Sequence, residues 1–303
     1  MSPRHDHSHD NADSSVSRRA VLRGAAVSAV GIGGLAVSSS PAQAGKKGGC
    51  DDPPMEYPRV TTRGHFDTTW WGSVYVTSGN DATNYDLAGD QIPGLDGSTP
   101  SELLVHAHGW NNDLEGGVCS VSEAGSTFDL EGYPHPVVGY TWDADYGWYN
   151  ATEIAERNGA KLAAFVADYH AQNPGVVIRL CCHSLGARVV LSAVQSLDNW
   201  GYRDAVTSVT LLGGAADNGS PALEGEYGPA IERTVGRLDN FWMNDDDVLN
   251  WAYSTAEWGT AIGASSLDGT PPANYADHNV DYVPDHFSHY KPDGCLDEVL
   301  ETF

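Results

Sequence analysis

The residue with the clearest chemical potential is Ser184, in the stretch Val176-Val-Ile-Arg-Leu-Cys-Cys-His-Ser-Leu-Gly-Ala-Arg188. Strand-forming residues run up to the serine, and a helical pattern begins directly after it. Cys182-His-Ser-Leu-Gly186 is close to the G-x-S-x-G pattern, in which a sharp strand-to-helix turn lifts the hydroxyl clear of a sheet. Such a turn needs small residues two before and two after the serine, because strand and helix backbones pack together there. Gly186 meets the second demand, and Cys182 stands where the pattern has its first glycine. The plain alternative is a buried strand entering an ordinary helix with Ser184 as its N-cap.

A serine hydroxyl is a weak nucleophile at neutral pH. It needs a base to take its proton, and the base needs an acid to fix its tautomer. Both types follow Ser184 in the order Ser, Asp, His. Phe241-Trp-Met-Asn-Asp-Asp-Asp-Val-Leu249 offers Asp245, Asp246 and Asp247. Asp246 is favoured, with Asp245 and Asp247 as alternatives. Asp285-His-Phe-Ser-His-Tyr-Lys-Pro292 offers His286, preferred as base because it lies in the last loop before a closing helix. His289 is the alternative base, and His278 stands third. The chemistry of such a set is acyl transfer through a serine.

The elements that must position these residues alternate between strand and helix. Residues 65–76 suggest one or two early strands, and 77–100 reads as loop, with its Asp90 and Asp96 better explained by turn chemistry than by a cation. Residues 101–108 form a strand that is nearly continuous in apolar character, as in a sheet covered on both faces. It ends in His108-Gly-Trp-Asn-Asn112, a His-Gly pair closing a strand. Strands are expected over 136–141, 176–183, 205–212 and 235–243, and helices over 151–172, 187–197, 247–256 and 293–303. Trp142, Tyr146, Trp148 and Tyr149 either line a pocket or anchor their loop to the core. Residues 217–234 and 258–282 read as irregular, the former with one short helix at most. Alternation of this kind argues for an α/β fold on a mostly parallel sheet with helices on both faces, in one catalytic domain over 64–303.

On Val105-His-Ala-His-Gly-Trp-Asn111, Cys182-His-Ser-Leu-Gly186, Asn240-Phe-Trp-Met-Asn-Asp-Asp246 and Asp285-His-Phe-Ser-His-Tyr290, the chain resembles the α/β-hydrolase superfamily, and within it secreted lipase- and esterase-like members. The resemblance implies Ser184 as nucleophile, His286 as general base, Asp246 or a neighbour as orienting acid, and the Trp110 and Leu185 amides as oxyanion hole. It implies a secreted serine hydrolase of carboxylic esters, with no cofactor and no metal. An amidase, peptidase or acyltransferase on the same triad is the alternative, as is a non-catalytic binding protein of the same fold. Residues 217–234 hold few large apolar residues, which argues against the long apolar lid of a true lipase.

Composition sets the surroundings. With 41 acidic against 16 basic residues the formal charge is −25, and only Lys46, Lys47, Lys161 and Lys291 are lysines. Such a surface repels nucleic acid and anionic membranes and suits concentrated salt, where counterions screen self-repulsion. This is the composition expected of a halophile. Ser17-Arg-Arg-Ala-Val-Leu22, a weakly apolar run over 24–37 and Ala42-Gln-Ala44 read as a twin-arginine export signal over 1–44. The run is too short and too rich in Gly and Ser to be a membrane anchor. Residues 45–63 read as a flexible arm. The expected partners are therefore the twin-arginine translocase and a small-molecule or lipid ester. Cys181 and Cys182 are expected to be buried and inert, leaving Cys50, Cys119 and Cys295 as bridge formers whose pairing stays open.

Overall fold

The computed structural model describes residues 50–257 and 259–303, so the export signal expected over 1–44 lies outside the described residues. Ten strands and six helices follow one another among the described residues: β1 (Arg59–Thr61), β2 (Phe66–Thr68), β3 (Val74–Val76), β4 (Asp86–Ala88), β5 (Glu102–Ala107), α1 (Leu114–Leu130), β6 (Val137–Thr141), α2 (Trp148–Gln172), β7 (Val177–His183), α3 (Gly186–Asn199), β8 (Val206–Leu212), α4 (Gly228–Thr234), β9 (Val235–Trp242), α5 (Asp247–Thr255), β10 (Tyr275–Asn279) and α6 (Leu296–Glu301). Eight strands form one sheet in the order β10-β9-β8-β7-β5-β6-β1-β4. Every neighbouring pair is parallel except β1 with β4, which is antiparallel. β2 and β3 pair separately as a hairpin.

The sheet is buried on both faces, as the apolar run of β5 predicts. Side chains alternate across a strand, so Leu103, Val105 and Ala107 of β5 point into one core and Leu104 into the other. Ile178, Leu180 and Cys182 of β7 join the first core, which α2, α3 and α4 cover. Cys181 enters the second core, with Ala124 and Phe128 of α1 and Leu296 and Val299 of α6. Each fully buried aliphatic side chain of this kind contributes about 1.5–3 kcal/mol against conformational entropy. The result is the α/β-hydrolase fold.

From β5 the chain steps outward to β6, then returns across β5 to β7. The sheet order therefore reverses at the β5–β7 pair. Ligands of open α/β sheets bind in the crevice beyond the strand ends at such a reversal. Ser184 and the His108–Asn112 turn follow the C-terminal ends of these two strands.

Several expectations are corrected. Residues 50–63, read as part of a flexible arm, are built into the domain: Cys50 is bridged to Cys119 of α1, and β1 lies inside the sheet with Val60 fully buried. Cys295 is a free, buried thiol rather than a bridge former, as are Cys181 and Cys182. β4 interrupts the loop expected over 77–100, and β10 the irregular stretch expected over 258–282. Helix α1, rich in buried Gly and Ser, carries no clear helical apolar pattern in the sequence. Asp113 caps it, accepting from the Gly116 amide at 3.0 Å. Among the described residues, no helix is long and apolar enough to cross a membrane.

Candidate active site

Ser184 sits at the turn from β7 into α3 with φ of +55°. A non-glycine residue in the left-handed region costs free energy, and the surroundings must over-determine it. Here they do. The Ser184 amide donates to the Leu212 carbonyl at 3.0 Å, and its carbonyl accepts from Ala187 at 3.0 Å and Ala215 at 2.9 Å. The elbow is thus pinned to the end of β8 as well as to α3.

The demand for small flanking residues is visible in distances. A Cβ at Gly186 would lie 2.6 Å from the Ala107 carbonyl oxygen and 2.9 Å from that of His108. One at Gly109 would lie 2.8 Å from Ser184 Cβ. The end of β5 and the elbow therefore touch, and larger residues would separate them. Cys182 is buried in the core, where its thiol donates to the Thr210 carbonyl at 3.5 Å. Burial pushes that thiol far up, so it stays protonated.

The β5 turn brings Trp110 beside the elbow, and the turn is braced on all sides. The neutral His108 ring donates from Nδ1 to the Gly109 carbonyl at 2.8 Å and accepts at Nε2 from the Trp142 amide at 3.2 Å. Burial lowers its pKa to about 4, which keeps it neutral in this structural role. The Trp110 indole donates to the Tyr146 carbonyl at 2.8 Å, and the Asn112 amide donates to the Gly109 carbonyl at 3.1 Å. Leu185, the other amide named from the sequence, is buried directly after the serine. Of the four aromatics expected in one loop, Trp148 and Tyr149 instead open α2; Trp142 is fully buried and stacked on His108, whereas Tyr149 is largely exposed. Trp148 donates to Glu257 Oε1 and packs edge-on against Trp110.

His286 and Asp246 meet at the end of β9. His286 Nδ1 donates to Asp246 Oδ2 at 2.6 Å, and both side chains are almost wholly buried, at 3% and 0% exposure. Asp246 Oδ1 accepts from the Leu249 amide at 2.9 Å and so caps α5. Burial alone would raise this carboxyl. The charge and hydrogen bond of His286 and the Leu249 amide outweigh it and hold Asp246 below the ordinary carboxylate value. Asp245 and Asp247 are exposed and make no such contact with His286. His289 turns its Nδ1 to the His286 carbonyl at 3.1 Å. His278 is engaged elsewhere, paired with Asp239 at 2.7 Å and stacked on Phe241.

The imidazoles of His183 and His286 lie 4.6 Å apart, centroid to centroid, so His286 packs against the side chain of the residue that precedes Ser184. Ser184 itself is 6% exposed. A surface cleft of about 400 Å³ lies elsewhere, between the β2–β3 hairpin and helices α2 and α3, lined by Phe66, Val76, Ala160, Ser192 and Glu226 among others. None of the residues singled out in the sequence lines it. Among the described residues, no group of three or more His, Cys, Asp or Glu side chains is arranged to hold a metal ion. His183 also bonds within the His286–Asp246 cluster, to the His286 carbonyl at 2.6 Å. Only its place beside the serine marks it in the sequence, and its bond to His286 spans 103 residues.

Solved structures are similar to this chain at low identity. An a/b serine hydrolase without lid from Xanthomonas campestris matches at 14% identity, covering 70% of this chain and 86% of that one, with a TM-score of 0.40. A hyperthermophilic esterase from Pyrobaculum calidifontis matches at 12% identity over 71% and 78% of the two chains, with a TM-score of 0.38. A cutinase-like protein from Cryptococcus sp. matches at 14% identity over 62% and 79%, with a TM-score of 0.32. No curated protein matches the sequence. The match to a protein family runs over residues 133–289 and takes in Ser184, Asp246 and His286, so that the chain belongs to the family described as "Protein of unknown function (DUF726)".

Proposed function

We propose that this protein is a serine hydrolase that cleaves carboxylic esters through an acyl-enzyme, with Ser184 as nucleophile, His286 as general base and Asp246 as orienting acid. The observation that carries the reading is the left-handed elbow at Ser184, whose neighbour His183 packs at 4.6 Å against the His286 of a buried His286–Asp246 pair joined at 2.6 Å. Asp246 holds the His286 proton on Nδ1 and leaves Nε2 free to accept. His286 takes the Ser184 proton as the hydroxyl attacks the ester carbonyl, then gives it to the leaving alcohol. The Trp110 and Leu185 amides stabilise the tetrahedral oxyanion, where one such donor is worth about 3 kcal/mol. Water then attacks the acyl-enzyme carbonyl as His286 takes its proton, and His286 returns that proton to Ser184 Oγ as the ester bond to the serine breaks and the acid leaves. The polar character of 217–227 supports a compact ester over a long acyl chain.

A panel of p-nitrophenyl acyl esters, assayed in concentrated salt, tests the reading. Ser184→Ala should lower kcat by at least about 10³-fold. Activity that survives the substitution would remove the mechanism. Matching anilides in the panel separate an amidase from an esterase.

The protein is exported by the twin-arginine route. Arg18-Arg19, the Ala42-Gln-Ala44 site and the Cys50–Cys119 bridge, which persists in oxidising compartments, support this. Sequencing the N-terminus of the secreted chain should find Gly45 first; an intact leader on a cytoplasmic chain would contradict it.

A further inference from the structure

The backbone carbonyl of His286 accepts two imidazole hydrogen bonds. His183 Nε2–H donates to it at 2.6 Å and His289 Nδ1–H at 3.1 Å. Both side chains are sealed from solvent. Burial first, and then the neighbouring His286, holds His183 well below its ordinary pKa and His289 down to about 4. Both therefore stay neutral near pH 7. A neutral imidazole carries one N–H, so these bonds fix both tautomers, with the proton of His183 on Nε2 and that of His289 on Nδ1.

We propose that His183 is a positioning residue: its bond to the His286 carbonyl, supported by His289 at the same oxygen, ties the strand that carries the nucleophile to the loop that carries the base. This rests on the reading of Ser184 and His286 given above. His183 is the last residue of β7 and the immediate neighbour of Ser184, so the bond joins the two functional residues by the shortest covalent path the chain offers. Other backbone bonds of the loop are local: Ser288 to Asp285 at 3.0 Å, Lys291 to Ser288 at 3.0 Å and Cys295 to His289 at 3.0 Å. They shape the loop without reaching β7. Asp246 grips the ring of His286 at Nδ1 only, and a ring held at one atom can still pivot about it. The clamp on the backbone of the same residue removes that freedom. The edge-on contact of His183 with Tyr290, at 5.0 Å between centroids, fixes the donor ring in turn. A reacting group displaced by about 1 Å can lose about 10²-fold in rate, which is the scale of effect expected here.

The test uses the full chain with four substitutions. His183→Gln keeps an N–H donor near the place of Nε2, and His289→Asn keeps one near the place of Nδ1. His183→Leu and His289→Leu remove the donors. With a p-nitrophenyl ester, His183→Leu should lower kcat by about 10²-fold while KM moves little, and His183→Gln should recover most of the loss. His289→Leu should cost less. The double Leu variant should lose less than the product of the single losses, because both donors serve one acceptor. A folded His183→Leu variant with parental kcat would overturn the proposal, and so would equal impairment of Leu and Gln, the signature of packing alone. If Leu at 183 does not fold, His183→Gln is compared with His183→Asn, whose shorter amide cannot reach the carbonyl; equal kcat overturns it. The parent chain is first treated with a fluorophosphonate probe. If Ser184 takes no label and no ester is cleaved, the hydrolase reading falls and the clamp with it. A labelled, active parent with indifferent variants removes the clamp alone.

Discussion

Asp246 does two jobs with two oxygens. Oδ2 receives the His286 proton donor and Oδ1 caps α5 through the Leu249 amide. The two jobs can be separated. Asp246→Asn keeps an oxygen for the cap but gives His286 a neutral partner that no longer fixes its tautomer. Its kcat should fall by about 10³–10⁴-fold with stability nearly unchanged. Asp246→Ala also loses the cap, at a further cost of about 1 kcal/mol or more, so its denaturation midpoint should fall below that of the Asn variant. Steady-state kinetics alongside urea unfolding check both, and an Asn variant with parental kcat would remove Asp246 from the mechanism. Asp245→Asn and Asp247→Asn, at exposed positions, should behave like the parent. The run of three acids was legible as the acid region, and a helix beginning at Asp247 already puts Asp246 at the N-cap. What chain order could not supply was the approach of His286, a contact across 40 residues.

At the scale of elements, the strands legible in the sequence are long interior ones, buried on both faces, and those that are not legible are the two edges and the three-residue β1 next to one of them. β4 and β10 close the two ends of the sheet. β10 is Tyr-Ala-Asp-His-Asn, polar and partly exposed throughout. Edge strands are protected from association by such residues, which also erases their hydrophobic signature. Helix α1 is hard to read from the sequence for a related reason. Its buried positions include Gly116, Gly117, Ser120, Ser122 and Gly125, small residues of modest apolar character that let it lie close to its neighbours. Packing outweighs propensity there. Cys119 of α1 anchors the segment before β1 through a bridge that closes a loop of 69 residues. Replacing Cys50 and Cys119 together by serine should lower the unfolding free energy by about 2–4 kcal/mol, read by urea denaturation. An unchanged midpoint would show that the bridge constrains neither state.

Over the whole molecule, charge and buried histidines set the conditions under which the fold survives. The net charge of −25 repels itself at low ionic strength. The melting temperature should rise between 0.1 and 3 M NaCl by on the order of 10 °C, about 3 kcal/mol for a domain of this size. A flat salt dependence would contradict the halophilic reading. Acid acts through other groups. Burial lowers the imidazole of His106 to about 3 and those of His108 and His289 to about 4, and holds His183 well below its ordinary value. As the pH falls below about 6.5 the unfolded chain binds protons on these residues and the folded chain does not. Their stabilising contribution is full above that pH and declines toward pH 4, by about 1 kcal/mol per pH unit for each histidine. Denaturation midpoints at pH 7, 6 and 5 should drop steeply; equal midpoints would show that these histidines are protonated in the fold. By itself, the sequence determined the α/β alternation, the elbow, the order Ser-Asp-His and the acidic surface, because each is written in local periodicity, spacing or composition. Only the tertiary structure decided which aspartate meets His286, which cysteines pair, where the sheet ends and what His183 holds. Each of those depends on contacts between segments far apart in the chain, and such contacts leave no local pattern to read.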